Sequence, residues 1–189
     1  MGGYGILSEI ENLKKALEMV TSSRGFYRLI PEVRTNIVMA KEKARTIDDV
    51  AGIPGRITVH KTEVFACREP DYGASSHLAR LIIEIRKYDP SLRSAINLKY
   101  DEKIIEICDG MGLRVSYYDR RKEPENIKEE EGATIPWGVK VAIKRIGRVP
   151  DVIYHKGDWG KEPMIILLAA DAIEAAKTAI KIGEKYSGG

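Results

Sequence analysis

The sequence predicts an α/β layered domain with a mixed sheet, and three observations predict it. Stretches with apolar residues at helical spacing alternate with short β-branched runs along the whole chain. Some neighbouring runs are joined by connections too short for a crossover helix, which antiparallel pairs tolerate, so the sheet is not purely parallel. The chain of 189 residues is long enough for one domain with a substantial core and only marginally for two.

The elements follow in order. From Ser8 to about Ser22, Ile10, Leu13, Leu17 and Val20 recur at helical spacing behind Ser8 as a cap, and Gly25 is expected to end that helix. "YRLIPEVRTNIVMA" reads as a strand interrupted by Pro31. Thr46 followed by Asp48 and Asp49 starts a short helix that Pro54 stops. "GRITVHKTEVFAC" reads as two short strands with a polar turn around Lys61. A helix from about Ser75 to Lys87 carries Leu78, Leu81, Ile82 and Ile85 as a buried stripe. "SAINLKY" is a strand, and a helix from Asp101 to Met111 is closed by Gly112. "LRVSYYD" is a strand. "TIPWGVKVAIKRIG" is a helix with Thr134 as cap and Pro136 in its first turn. "VPDVIYHKGDWGKEPMIILLAA" reads as strand, Gly-rich polar loop, strand, and the last helix runs from Asp171 to about Tyr186. "MGG" and "SGG" read as frayed ends.

Composition narrows the function classes. A net charge of +3, without a dense Lys/Arg stripe interleaved with aromatics, leaves no footprint for nucleic acid. Charges alternate in sign in "RRKEPENIKEEEG", which reads as a solvated face. Cys67 and Cys108 lie far apart and read as free thiols in a reducing compartment rather than a disulfide or zinc framework. Apolar runs such as "MIILLAA" are too short to span a membrane, and the amphipathic, acidic start has no signal-peptide pattern. A cytoplasmic protein is expected, with no membrane and no nucleic-acid partner. The chain has no glutamine and abundant Lys, Glu, Arg and Ile, a bias that points to a thermophilic source.

Three segments carry candidate chemistry. In "PDYGASSHLARLII" (Pro70 to Ile83), Gly73, Ala74, Ser75 and Ser76 stand where an apolar helix begins, so free backbone N–H groups and two hydroxyls are available to a phosphate. His77 falls in the first turn, where the helix dipole disfavours the imidazolium, and a neutral ring can donate a hydrogen bond to a phosphoryl oxygen. The same residues also read simply as a capped helix with a surface histidine. In "PGRITVH", Arg56 offers a bidentate phosphate contact or is one exposed cation among many. In "YHKGDWGKEPM", Gly157 and Gly160 let the backbone bend, Asp158 and Glu162 suit a hydrated Mg²⁺ and Lys161 a phosphate; a polar hairpin turn fits equally. His60 and His155 have no His or Cys at metal-ligand spacing, so no metal site is expected. GxGxxG, Walker A, HExxH and GxSxG are absent.

Taken together, "LIPEVRTNIVMA", "AGIPGRI", "YGASSHLAR", "NLKYDEKIIE", "GLRVSYYDR", "WGVKVAI" and "GRVPDVIYHKGDWGKEPMI" resemble, in this order, the ThiN-type thiamine-phosphate synthase domain. The resemblance covers about Phe26 to Ala170 and divides the chain into a lead-in helix, residues 1–25, and the domain itself, residues 26–186. It implies a three-layer α/β/α fold with a mixed, largely antiparallel sheet, similar to class II aldolases, though without the histidine cluster that holds zinc in those enzymes. It implies a transferase that joins hydroxymethylpyrimidine diphosphate to hydroxyethylthiazole phosphate, giving thiamine phosphate and pyrophosphate. The family's essential arginine and histidine fall on Arg56 and His77. Substrate and phosphate contacts are expected from Asn36, Gly73, Ser75, Ser76, Asp158, Lys161 and Glu162, with Mg²⁺ carried by the diphosphate. A hydroxymethylpyrimidine kinase domain is an expected partner, and a homo-oligomer is expected. Arg34 stands where the "EVxTN" pattern has a smaller residue. The alternative reading is a non-catalytic thiamine-phosphate-sensing domain of a transcriptional regulator. The retained His77, and a preceding region of one helix without a helix-turn-helix, favour the enzyme.

Overall fold

A computed structural model describes residues 7–130 and 132–188; the N-terminal "MGG" and Gly189 lie outside the described residues. Helix α1, Glu9–Ser22, starts in a capping box, with the Ser8 hydroxyl accepting the Glu11 N–H at 3.2 Å and the Glu11 carboxylate accepting the Ser8 N–H at 2.9 Å. The helix ends at Ser23 rather than at Gly25. Gly25 is needed for another reason: a Cβ there would stand 3.0 Å from the Gly183 backbone, so it permits a close approach of chain to helix. The stretch expected as a strand broken at Pro31 divides differently, into a 3₁₀ turn, Phe26–Leu29, and strand β1, Ile37–Ala40. An apolar run of that length does not distinguish a buried turn from a buried strand. Thr46 opens only a 3₁₀ turn, Ile47–Asp49, before the chain extends into β2, Val50–Gly52.

The hairpin expected around Lys61 forms, from β3, Ile57–His60, and β4, Glu63–Ala66, with Lys61 itself at φ 56°. Strand β5, Asp71–Tyr72, follows, then helix α2, Ser76–Ile85, strand β6, Ser94–Lys99, and helix α3, Glu102–Gly110, capped by Asp101. After β7, Val115–Tyr117, a 3₁₀ turn at Arg120–Lys122 and a short helix α4, Glu125–Glu129, lie in the run expected as a solvated face. Within that run Glu123 is buried. Helix α5 spans Thr134–Ile146. Thr134 is its first residue rather than its cap, because the hydroxyl donates to the Glu123 carboxylate. Strands β8, Val152–His155, and β9, Met164–Ala169, and helix α6, Ala172–Tyr186, complete the chain.

The main sheet has the order β5-β2-β1-β6-β9-β8-β7, antiparallel throughout except for the β7–β8 pair. Alternation along each strand sends neighbouring side chains to opposite faces. Ile37, Met39, Ile96, Leu98, Ile165 and Leu167 meet α1, α3 and α6 on one face. Val38, Ala95, Ile153, Ile166 and Leu168 meet α2 and α5 on the other. Burial on both faces explains why "IVMA" and "MIILLA" are continuous apolar runs. The helix expected as a lead-in belongs to the first of these layers, with Leu13, Ala16 and Val20 fully buried. No described helix is long and apolar enough to cross a membrane.

Candidate active site at one end of the sheet

On the α2/α5 face, one step beyond the core toward the strand ends, Val38 gives way to Asn36, Ala95 to Asn97 and Ile153 to His155, a change from apolar to polar, while Ile166 gives way to Met164. Asn36, Asn97, Met164, Ile166 and His155 form the floor of a pocket of about 240 Å³, walled by Ser75, His77 and Leu78 of the α2 start, Val33, Arg56, Arg120 and the segment Gly160–Glu162. The topology thus collects residues from six separate stretches of chain at one sheet end.

Of the residues expected at a site, Arg56, His77, Asn36, Ser75, Lys161 and Glu162 line this pocket. Gly73, Ser76 and Asp158 do not. Gly73 (φ 70°) turns the chain into α2 and its N–H donates to Val50. Ser76 is exposed on the first turn, and the Asp158 carboxylate accepts the Trp159 N–H. Asn97, Arg120 and His155 also line the pocket, although the sequence places Arg120 in a solvated face, gives His155 only as a histidine without metal-ligand neighbours and leaves Asn97 unmarked. His155 gave the only available signal, a histidine at the mouth of the Gly-rich loop.

Arg56 is held by turn chemistry. Pro54 and Gly55 (φ 77°) occupy the middle of a turn in which the Arg56 N–H donates to the Ile53 carbonyl at 3.0 Å, the residue pattern of a type II turn. Arg56 itself adopts φ 67°, facing Arg34 at φ 70° across the Thr35–Ile57 bridge. A left-handed non-glycine residue costs on the order of 1 kcal/mol, so the surroundings must hold it. Asn36 does so: its amide donates to the Ile53 carbonyl (3.0 Å) and accepts the Ile53 N–H (2.8 Å). Asn97 accepts the Asn36 N–H at 2.7 Å and donates to the Arg34 carbonyl at 2.9 Å. Glu162 accepts the Glu32 and Val33 N–H groups at 2.9 and 3.1 Å, and the Arg56 guanidinium donates to the Val33 carbonyl. The Asn36 amide and the Glu162 carboxylate are therefore engaged with the backbone that aims Arg56.

The two histidines are held neutral. Confinement by the pocket walls pushes His77 below its ordinary value, and Arg120, Arg56, Arg80 and Lys161 push it further, although its ring stays open to the pocket mouth. Burial pushes His155 down to about 4, assisted by Arg120 and His77. His155 Nδ1 accepts the Gly157 N–H at 3.2 Å, which leaves Nε2 as the protonated donor. Gly157 is at φ 76°, and a Cβ would lie 2.3 Å from the Lys161 carbonyl, so only glycine closes the turn that presents Lys161. Ser75 caps no N–H with its side chain, so the α2 start keeps its dipole open to the pocket. Three cations, two neutral donors and an apolar wall with no unengaged carboxylate suit an anionic ligand that carries an apolar ring. Among the described residues no group of three or more His, Cys, Asp or Glu side chains is placed to hold a metal.

Fold and site together define an α/β domain with a cation-lined pocket at the end of a mixed sheet. Comparison with known proteins makes the class specific. The family model of thiamine-phosphate synthase ThiN matches residues 12–181, and the chain belongs to that family. It is 54% identical over 181 residues, 96% of its own length and 95% of the relative's, to "Thiamine-phosphate synthase ThiN" of Methanothermobacter thermautotrophicus. It is 37% identical over 179 residues to "Bifunctional thiamine biosynthesis protein ThiDN" of Methanocaldococcus jannaschii, where it covers 94% of itself but 41% of the relative. A crystal structure of the C-terminal domain of phosphomethylpyrimidine kinase superposes with a TM-score of 0.86 at 46% identity, covering 93% of this chain and 97% of that one.

Proposed function

We propose that the chain is a thiamine-phosphate synthase, a transferase that condenses hydroxymethylpyrimidine diphosphate with hydroxyethylthiazole phosphate at this pocket. The single observation that carries the assignment of the pocket is the convergence of Arg56, Arg120 and Lys161 on two neutral histidines beside an apolar wall.

The reaction breaks the bond between the pyrimidine methylene and the bridging oxygen, whose electron pair leaves with pyrophosphate. The thiazole nitrogen lone pair then forms the new C–N bond, and the nitrogen becomes a cationic thiazolium. No proton leaves the nucleophile, so no general base is required there. The protein must neutralise the leaving group and align two rings. Arg56 takes the diphosphate, and neutral His77 donates a hydrogen bond to the departing oxygen without first losing a proton. Lys161 and Ser75 contribute further phosphate contacts from the loop and the α2 start, with Gly73 setting the entry of that helix and Ser76 lying outside the pocket lining. Asn36 and Glu162 act by holding the Arg56 turn. Asp158 shapes the loop. Mg²⁺ would come with the diphosphate as part of the substrate; the residues present offer it no cage of their own, since the Glu162 carboxylate is engaged with backbone and Asp158 lies outside the pocket lining.

A hydroxymethylpyrimidine kinase domain is the partner this reading expects, in keeping with the bifunctional name of one relative, and α1 then leads in from it. A homo-oligomer, a cytoplasmic location, a thermophilic source and a kinship of the helix–sheet–helix layering with class II aldolases belong to the same proposal. The test is turnover: wild-type protein with both substrates and Mg²⁺ should form thiamine phosphate and pyrophosphate in equal amounts. Saturable binding of thiamine phosphate with no turnover would replace the enzyme by a sensor.

A further inference from the structure

Arg120 lies within a run of charges that reads as solvent-facing, yet its side chain is 11% exposed and it lines the pocket. The carboxylate that answers it is Glu123, 3.7 Å away, beyond hydrogen-bond distance. Glu123 is itself buried and accepts the Thr134 hydroxyl. The Arg120 Nε is buried and has no hydrogen-bond partner among the described residues. A guanidinium taken out of water with one long contact and an unanswered N–H is under-compensated. Around it stand His77 and His155, both neutral, with Arg120 the largest charge acting on each; the one carboxylate lining the pocket, Glu162, is engaged by the Glu32 and Val33 N–H groups. Glu123 and Thr134, from the turn before α4 and the start of α5, fix its base from behind.

We infer that Arg120 is a substrate-binding residue that receives phosphate oxygens at the inner wall of the pocket, and that Glu123 is the residue that positions it. The identity of the phosphate rests on the synthase reading; the anion site does not. A planar guanidinium with a free Nε–H offers a bidentate contact that a lysine ammonium cannot reproduce. The phosphate belongs to the diphosphate or to the thiazole monophosphate, and kinetics separate them.

The experiment measures binding of inorganic pyrophosphate by calorimetry for wild type, Arg120→Met, Arg120→Lys and Glu123→Gln, with melting curves alongside. The same proteins are assayed for kcat and KM toward each substrate. Arg120→Met should weaken pyrophosphate binding by about tenfold or more, the size of a lost charged hydrogen-bond pair, and Arg120→Lys should recover only part. Glu123→Gln, which keeps an acceptor for Thr134, should raise KM for the same substrate by severalfold while kcat at saturation stays near wild type. A KM rise confined to the pyrimidine substrate assigns Arg120 to the diphosphate, and one confined to the thiazole substrate to the monophosphate. Folded Arg120→Met and Arg120→Lys proteins that keep wild-type affinity for pyrophosphate and both substrates would overturn the inference. So would a wild type that binds no pyrophosphate. A wild type that binds pyrophosphate through Arg120 but makes no thiamine phosphate would refute the synthase reading and leave the anion site standing.

Discussion

Gly138 sits inside α5, where replacing glycine by alanine ordinarily stabilises a helix by about 1 kcal/mol. The packing reverses the sign. A Cβ on Gly138 would stand 2.7 to 2.9 Å from three carbons of the Tyr118 ring. Tyr118 is 4% exposed, its ring lies 5.8 Å from Trp137 in a T-shaped pair and 5.2 Å from His155, so it cannot swing into solvent. Overpacking of this kind costs roughly 1–3 kcal/mol. Set against the propensity gain, Gly138→Ala should lose about 1 kcal/mol, a fall in Tm of about 2–4 °C for a chain of this size. Because Tyr118 also packs against His155 on the pocket floor, pyrophosphate affinity should fall with it. The assay is thermal and urea unfolding of Gly138→Ala in the wild-type background and in Tyr118→Leu, where the ring is gone and the substitution should become neutral or stabilising. A higher Tm for Gly138→Ala in the wild-type background would refute the reasoning.

Three further outcomes follow from the site. Asn36→Ala strips the buried Ile53 N–H of its partner and leaves the Ile53 carbonyl with the Arg56 N–H alone, and should cost about 2 kcal/mol of stability, read as a lower Tm; a residue serving only as a ligand contact would leave Tm alone and raise KM. Gly157→Ala should open the turn that presents Lys161, because the added Cβ meets backbone 2.3 Å away; pyrophosphate binding should weaken severalfold, and Tm should fall with it because Gly157 is buried and its N–H is held by His155. His155 is neutral in the fold, its value depressed to about 4 from an ordinary 6.5, so the unfolded chain binds the extra proton between those values. Stability should therefore fall as pH drops from about 6.5 towards 4, by at most about 3 kcal/mol. His155→Gln should flatten that part of the wild-type stability curve.

Local chemistry made some of the fold legible. Ser8 with Glu11, Asp101 and Asp171 mark helix starts that the chain uses, since a cap is a contact within three residues. The β3–β4 hairpin and the flanking strands of the Gly-rich loop were readable for the same reason. Strands β2 and β5 were not, being three and two residues long and defined by their neighbours rather than by a pattern of their own. In the Phe26–Leu29 turn only Phe26 and Leu29 are buried, too few positions to give a periodicity that separates a 3₁₀ turn from a strand.

The candidate site divides along the same line. Arg56 and His77 stand in local motifs, a Pro-Gly turn and a helix start, and both reach the pocket. Asn36, by contrast, serves the Ile53 backbone, and Glu162 joins a loop about 130 residues away in sequence. No local pattern records such a contact. Arg120 was hidden by its own neighbours: in "RRKEPENIKEEEG" most charges do face solvent, and only the α5 packing that buries Glu123 turns Arg120 inward.

In the proposed reaction Arg56 and His77 act together in this pocket. Turnover of both substrates by Arg56→Ala and His77→Ala, each shown folded by its melting curve, tests it most directly. Each variant should lose about a hundredfold or more in kcat/KM, as expected when a leaving-group contact is removed. A folded variant of either residue that forms thiamine phosphate at the wild-type rate would contradict it.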